Sequence, residues 1–210
     1  KLLWDEKALY VYVTVEDAVL NKQNEEAHQQ DSFEIFIDEK NTKNDAYAPE
    51  NKQYRVNYEN VESFNGEKCL DENSETFTKV TDTGYVVEAS YLWTEVTGQA
   101  DSLIGLELQI NDADASGNRI GTLSWYDETG SGWSSPSVLG VAALVNELSA
   151  PAAQDDAEPT GTETQDGAEV KQAEDVAVPI AAVATGILFV STACLRARRK
   201  KEDEEKNGKE

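Results

Sequence analysis

The sequence predicts an all-β, antiparallel β-sandwich over residues 1–145, and three observations carry that prediction. Short runs of alternating apolar and polar residues recur along this stretch. The segments between them are rich in Gly, Asn and Asp, and no convincing helical period interrupts the series.

The clearest run is Ser32-Phe33-Glu34-Ile35-Phe36-Ile37-Asp38. Alternation puts Phe33, Ile35 and Ile37 on one side, with Ser32, Glu34, Phe36 and Asp38 on the other. Residues 53–58 repeat the device, with Tyr54, Val56 and Tyr58 inward and Gln53, Arg55 and Asn57 outward. Residues 104–111 add Glu107, Gln109 and Asn111 on a polar side. Long polar groups on one face of three strands make either a surface that hydrogen-bonds a ligand or an ordinary solvated sheet face. Glu34 is expected to face Arg55, where a carboxylate accepts hydrogen bonds rather than donating protons.

Taken in order, residues 4–7 form a tight turn into a strand on which Leu9, Val11, Val13 and Val15 share a side. Residues 16–30 are polar, with Asp17, Asn21, Asn24, Glu25 and Glu26 close together. Such hard oxygen donors suit Ca²⁺, although the spacing is not that of an EF-hand, and an acidic solvated loop is the competing reading. Residues 39–52 and 60–76 are expected to be polar loops, with Cys69 in the second. Strands resume at 77–80 and, after the Asp82-Thr83-Gly84 turn, at 85–91. Residues 111–118 form a second acidic loop with the makings of a minor ion site. Trp125 lies in a strand pattern and reads as core. Trp133 follows Gly130-Ser131-Gly132, a poorly packed setting that makes it either a lid on the sandwich or a ring held out for a ligand.

Composition narrows the function classes. A formal net charge of −23 argues against nucleic acid as a partner, because a phosphate backbone requires a basic face. No Met and one His argue against haem ligation. Glu34, Glu88 and Glu107 are the carboxylates from which a glycosidase pair would be drawn, but no nucleophile, base and orienting set accompanies them. Cys69 and Cys194 fall in segments too different to form a structural disulfide.

Beyond the sandwich, residues 146–175 are expected to be an extended acidic linker, carrying eight acids between positions 155 and 175 against Lys171 alone. Residues 176–195 contain twenty residues without a charge, the length of a membrane-spanning helix. Arg196, Arg198, Arg199, Lys200 and Lys201 follow at once, marking 196–210 as a cytoplasmic tail. The expectation is a single-pass cell-membrane protein with the sandwich outside; cell-wall attachment ranks second. The start at Lys1, without an initiating Met, reads as a piece of a longer chain.

The motifs Leu3-Trp4-Asp5-Glu6, Gln30-Asp31-Ser32-Phe33-Glu34-Ile35-Phe36-Ile37-Asp38, Gln53-Tyr54-Arg55-Val56-Asn57-Tyr58, Gly84-Tyr85-Val86-Val87-Glu88-Ala89, Gln109-Ile110-Asn111-Asp112-Ala113 and Leu123-Ser124-Trp125 occur in this order. Their order and spacing resemble the family 9 carbohydrate-binding modules of xylanases over residues 1–144. The resemblance implies a calcium-containing sandwich that binds xylan and cellulose chains or their reducing ends, in a protein whose upstream part is a glycoside hydrolase, most simply an endo-xylanase. It places one sugar between two aromatic rings. Trp133 matches the far ring, and Glu34, Arg55 and Gln109 match the polar partners. His28 stands where the family carries the near Trp, and Gly130 where it carries an Asn. His28 is therefore read either as a smaller stacking ring or as a solvated loop residue. The calcium site of the resemblance falls on Asp17 and Asn21, with Asp31 beside them. A surface adhesion or scaffolding sandwich that has lost sugar binding is the alternative function, and an acidic ion-free loop the alternative to calcium.

Overall fold

The computed structural model describes residues 1–66 and 69–146, and the backbone of residues 178–182. Alternation produces strands where it was strongest. They are β1 (Leu2–Trp4), β2 (Ala8–Glu16), β3 (Ser32–Asp38), β4 (Asn51–Asn57), β5 (Glu62–Asn65), β6 (Ser74–Thr81), β7 (Gly84–Leu92), β8 (Leu103–Ala113), β9 (Arg119–Ser124) and β10 (Gly140–Val145). The order across the first half is β5-β4-β3-β8-β10, with β9 pairing the far end of β8; across the second it is β1-β2-β7-β6. Every pairing within these halves is antiparallel.

The halves close on one core. Phe33, Ile35, Ile37, Tyr54 and Val56 of the first half join Leu9, Val11, Tyr85, Val87 and Tyr91 of the second in a single apolar cluster. The Tyr54 and Tyr91 rings meet across it at 4.6 Å between centroids. Leu9, Ile35, Tyr85 and Val87 have no exposed surface; a side chain of this kind contributes ~1.5–3 kcal/mol on burial. Trp125 is packed only partly against this core.

Three expectations change on folding. Residues 60–76 are not one loop: β5 lies within them, adding an edge to β4, and Asp71–Asn73 makes a 3-10 turn. Cys69 is buried rather than in a solvated loop, its thiol donating to the Gln53 carbonyl at 3.2 Å. The polar side of the first half is covered rather than open: Glu34, Gln53, Glu107 and Asn111 are each under 5% exposed. The segment after β9 lies over part of it, since a Cβ at Gly132 would come 3.7 Å from the Phe36 ring.

A further strand, β11 (Val178–Ala182), runs parallel to both β10 and β1 and fills the space between them. Two facing strand edges offer backbone partners on both sides, which favours an extended conformation there. These five residues fall inside the 176–195 run for which the sequence predicts a transmembrane helix. The remainder of that run, the 147–175 linker and the 196–210 tail lie outside the described residues. Among the described residues no helix is long and apolar enough to cross a membrane.

Candidate functional site

The register of the first half assembles three of the expected site residues. Glu34 of β3 stands directly across from Arg55 on β4 and from Gln109 on β8. Arg55 Nε donates to Glu34 Oε1 at 2.5 Å, and its Nη1 donates to Ser63 Oγ at 2.9 Å. Asn111 Nδ2 donates to the same Glu34 oxygen at 2.6 Å, while Gln53 Nε2 donates to Oε2 at 2.7 Å. Gln109 Nε2 joins the network through Asn111 Oδ1 at 3.1 Å. Glu34 is thus the buried hub, and the half-buried Arg55 and Gln109 are the groups that reach the surface. Alternation puts Glu34, Gln53 and Asn111 on a polar side, but that Gln53 and Asn111 hold Glu34 as a buried hub follows only from the fold.

Trp133 is 62% exposed, so it is not a lid folded onto the sandwich. Its loop is held by two buried carboxylates. Glu107 accepts the backbone N–H groups of Trp125 at 2.5 Å, Tyr126 at 2.8 Å and Asp127 at 2.6 Å. Asp127, 5% exposed, accepts from Thr129 N at 2.8 Å, Gly130 N at 3.1 Å and Gly132 N at 2.8 Å. Burial pushes the Glu107 carboxyl above its ordinary range against these three donors. Further bonds tie the loop to the sheet: Tyr47 Oη donates to the Gly132 carbonyl at 2.9 Å, and Asn65 Nδ2 to the Trp133 carbonyl at 3.0 Å. Asn65 Nδ2 also donates to Gln53 Oε1 at 3.1 Å, so the Trp133 backbone and Glu34 belong to one hydrogen-bonded chain.

His28 sits in a 3-10 turn, Ala27–Gln29, between β2 and β3. Its side chain is 41% exposed, 3.6 Å from Glu26 and 2.9 Å from Gln29 Nε2. Gln29 Oε1 accepts from Arg119 N, and Arg119 Nη1 donates to Asn111 Oδ1, each at 3.2 Å. His28 therefore borders the polar network through Gln29 and Arg119 without a bond to Glu34. Nothing in the sequence pattern marked Arg119.

At the other end of the same connection, the carboxylates of Asp17, Asp31 and Asp112 bring oxygens within 4.8 Å of one another, the grouping of this kind among the described residues. Asp112 was expected in an acidic loop over 111–118, but β8 runs on through Ala113, so Asp112 reaches the cluster from a strand paired with β3 and β9. Asp31 has no exposed surface; it accepts Ala113 N at 2.7 Å and Asn21 N at 2.6 Å. Its carboxyl is pushed up to about 7, first by burial, with Asp17 and Asp112 adding to the rise and the two N–H donors opposing it. Three carboxylates, the buried Asp31 among them, are hard oxygen donors of the kind calcium takes. Asn21 braces Asp31 through its backbone, while its side-chain oxygen accepts Gln23 N at 2.8 Å.

An exposed aromatic ring fixed beside a sheet face of hydrogen-bonding groups defines a ligand-binding β-sandwich module. The family model described as carbohydrate family 9 binding domain-like matches residues 1–147, and the chain belongs to that family. It is 41% identical over 152 residues to exoglucanase XynX of Acetivibrio thermocellus, which covers 71% of this chain and 14% of that protein. It is 42% identical over 145 residues to endo-1,4-beta-xylanase A of Thermotoga neapolitana, covering 69% and 14%. The chain therefore spans only a seventh or so of the length of these relatives. Among solved structures, a carbohydrate-binding module of family 9 from Caldicellulosiruptor kristjanssonii in complex with cellotriose superimposes with a TM-score of 0.65 at 35% identity, covering 77% of this chain and 78% of that one. The same description fits a complex with glucose at 36% identity.

Proposed function

We propose that the chain is a non-catalytic module that binds β-1,4-linked glycans, cellulose and xylan chains or their ends, beside Trp133. The observation that carries this reading is the continuous bonding from the backbone of the exposed Trp133, through Asn65 and Gln53, to the Glu34–Arg55 pair. The Trp133 ring covers the C–H face of a pyranose, Arg55 and Gln109 bond its hydroxyls, and Glu34 orients them from behind. His28 borders the site as the second, smaller ring. The cellotriose and glucose complexes of family neighbours and the xylanase names of the relatives support this ligand class. They also support an upstream glycoside hydrolase, most simply an endo-xylanase, which the module would hold near its substrate. Calcium bound by Asp17, Asp31 and Asp112, with Asn21 as brace, is read as structural.

Calorimetry with cello- and xylo-oligosaccharides tests the platform. Trp133→Ala should abolish binding at this site and leave the melting temperature nearly unchanged, because the ring buries little surface. Equal binding by both forms would mean that the ring is not the platform. The departures at His28 and Gly130 favour a second reading, an adhesion or scaffolding sandwich without sugar affinity, and no binding by wild type would favour it.

Attachment to the cell membrane, with the sandwich outside, is proposed from the charge-free run at 176–195 and the basic residues after it. A helix over this run uses the residues of β11, so the anchored form and the β11 strand exclude one another. Replacing Ile187 and Leu188 together with Asp should move the protein from the membrane fraction to the medium; retention would refute the anchor.

A further inference from the structure

We propose that the outer face of β2, β7 and β6 is a second glycan-binding surface, on the opposite side of the sandwich from Trp133 and built on Tyr12 and Phe77 with Glu88 between them. On β2, alternation sends Leu9, Val11 and Val15 into the core and turns Tyr10 and Tyr12 outward. The register then does something the sequence does not reveal. Tyr12 lies opposite Glu88 on β7, and Glu88 opposite Phe77 on β6; in the next row Tyr10, Ser90 and Glu75 are aligned in the same way. Two rings on one face, two strands apart, stand ~10 Å from each other across the strands.

Both rings are open to solvent, Tyr12 at 37% and Phe77 at 59%. They border a depression of about 640 Å³ shared with Tyr10, Glu75, Glu88 and Ser90. That volume falls in the range of small-molecule sites. The chemistry of the floor selects the occupant. Aromatic faces take the C–H faces of pyranoses, and the carboxylates accept hydrogen bonds from hydroxyls between them. The same carboxylates repel uronate-rich polymers and other polyanions. Lys1 Nζ, 5.6 Å from the Tyr12 centroid, adds a donor at one end. Tyr10 Oη donates to Asp5 Oδ2 at 3.0 Å, which fixes its ring at the rim. The ligand class is thus a neutral β-linked oligosaccharide lying across the strands.

The test is a titration of the full chain with cellohexaose and xylohexaose, followed by backbone amide shifts in nuclear magnetic resonance. In Trp133→Ala the expected result is residual binding with shifts at residues 10–12, 75–77 and 88–90. Adding Tyr12→Ala and Phe77→Ala should weaken that binding by about tenfold or more. The milder Tyr12→Phe, which keeps the ring, should retain it, and well-dispersed spectra show that each variant folds. Shifts confined to the Trp133 side, or residual binding indifferent to the two ring deletions, would overturn the proposal. Shifts at this face that follow protein concentration rather than sugar would assign it to a second copy of the chain and overturn it equally. Binding at Tyr12 and Phe77 in wild type without binding at Trp133 would instead sink the proposed primary platform and leave this surface standing.

Discussion

Two regions of this molecule bury carboxylates and treat them in opposite ways. In the Trp133 loop, Glu107 and Asp127 are surrounded by backbone N–H groups, which the loop wraps around them. At the acidic junction, Asp31 has two such donors but also faces Asp17 and Asp112. The first arrangement gives each carboxylate at least three backbone donors and so fixes the loop that carries the exposed ring. The second leaves negative charge that a proton or a cation must balance. Buried carboxylates become a brace in one place and an ion-binding candidate in the other, and the difference lies in how many backbone donors and how many neighbouring carboxylates each one meets.

The largest effect that would break this comparison is expected at the acidic junction. If calcium balances it, chelation with EDTA should lower stability by about 3–4 kcal/mol relative to saturating ion, a fall of roughly 10 °C in melting temperature. Asp31→Asn should show little response to either treatment. A wild-type melting curve indifferent to EDTA and to added calcium would mean that the cluster holds no ion.

In the braced loop the expected effect is smaller and falls on binding. Asp127→Ala strips acceptors from three backbone N–H groups, at a cost of about 1–3 kcal/mol shared between stability and loop order. Oligosaccharide affinity should drop about tenfold, while EDTA sensitivity stays as in wild type. Unchanged affinity in calorimetry would show that the loop needs no brace.

The smallest effect joins the two regions, because His28 lies on the same β2–β3 connection as Asp17 and Asp31. His28→Trp should strengthen binding by ~1–2 kcal/mol, about ten- to thirtyfold, by supplying the larger ring. No gain in affinity by calorimetry would place residue 28 outside the sugar's reach.

How much of this was legible in the sequence depended on the range of the interactions. Period-two alternation is local, so it disclosed β2, β3, β4 and β7 and put Glu34, Arg55 and Gln109 on a common side. Exposure of Trp133 was legible as one of two choices from its Gly-rich surroundings. Burial of Glu34 was not, because it depends on Gln53, Asn111 and the overlying loop arriving from three other segments. Asp112 was separated from Asp31 by eighty residues, and only the β3–β8 register brings them together. The roles of Glu107 and Asp127 were hidden for another reason: their partners are backbone amides, which carry no residue identity to read. Strand β5 lacked a strong alternating pattern and forms because the edge of β4 offers it a ladder.

Gly130 gives the binding loop room for alteration. Its φ is +67°, in the left-handed region, and a Cβ there would meet nothing within 4 Å. Most side chains are disfavoured by that backbone, but Asn tolerates it better than nearly all others. The position is thus a vacant mounting point: an amide could be installed three residues before Trp133 without disturbing a neighbour. An alteration here would therefore reach the Trp133 loop without touching the core, the acidic junction or the outer face of β2, β7 and β6.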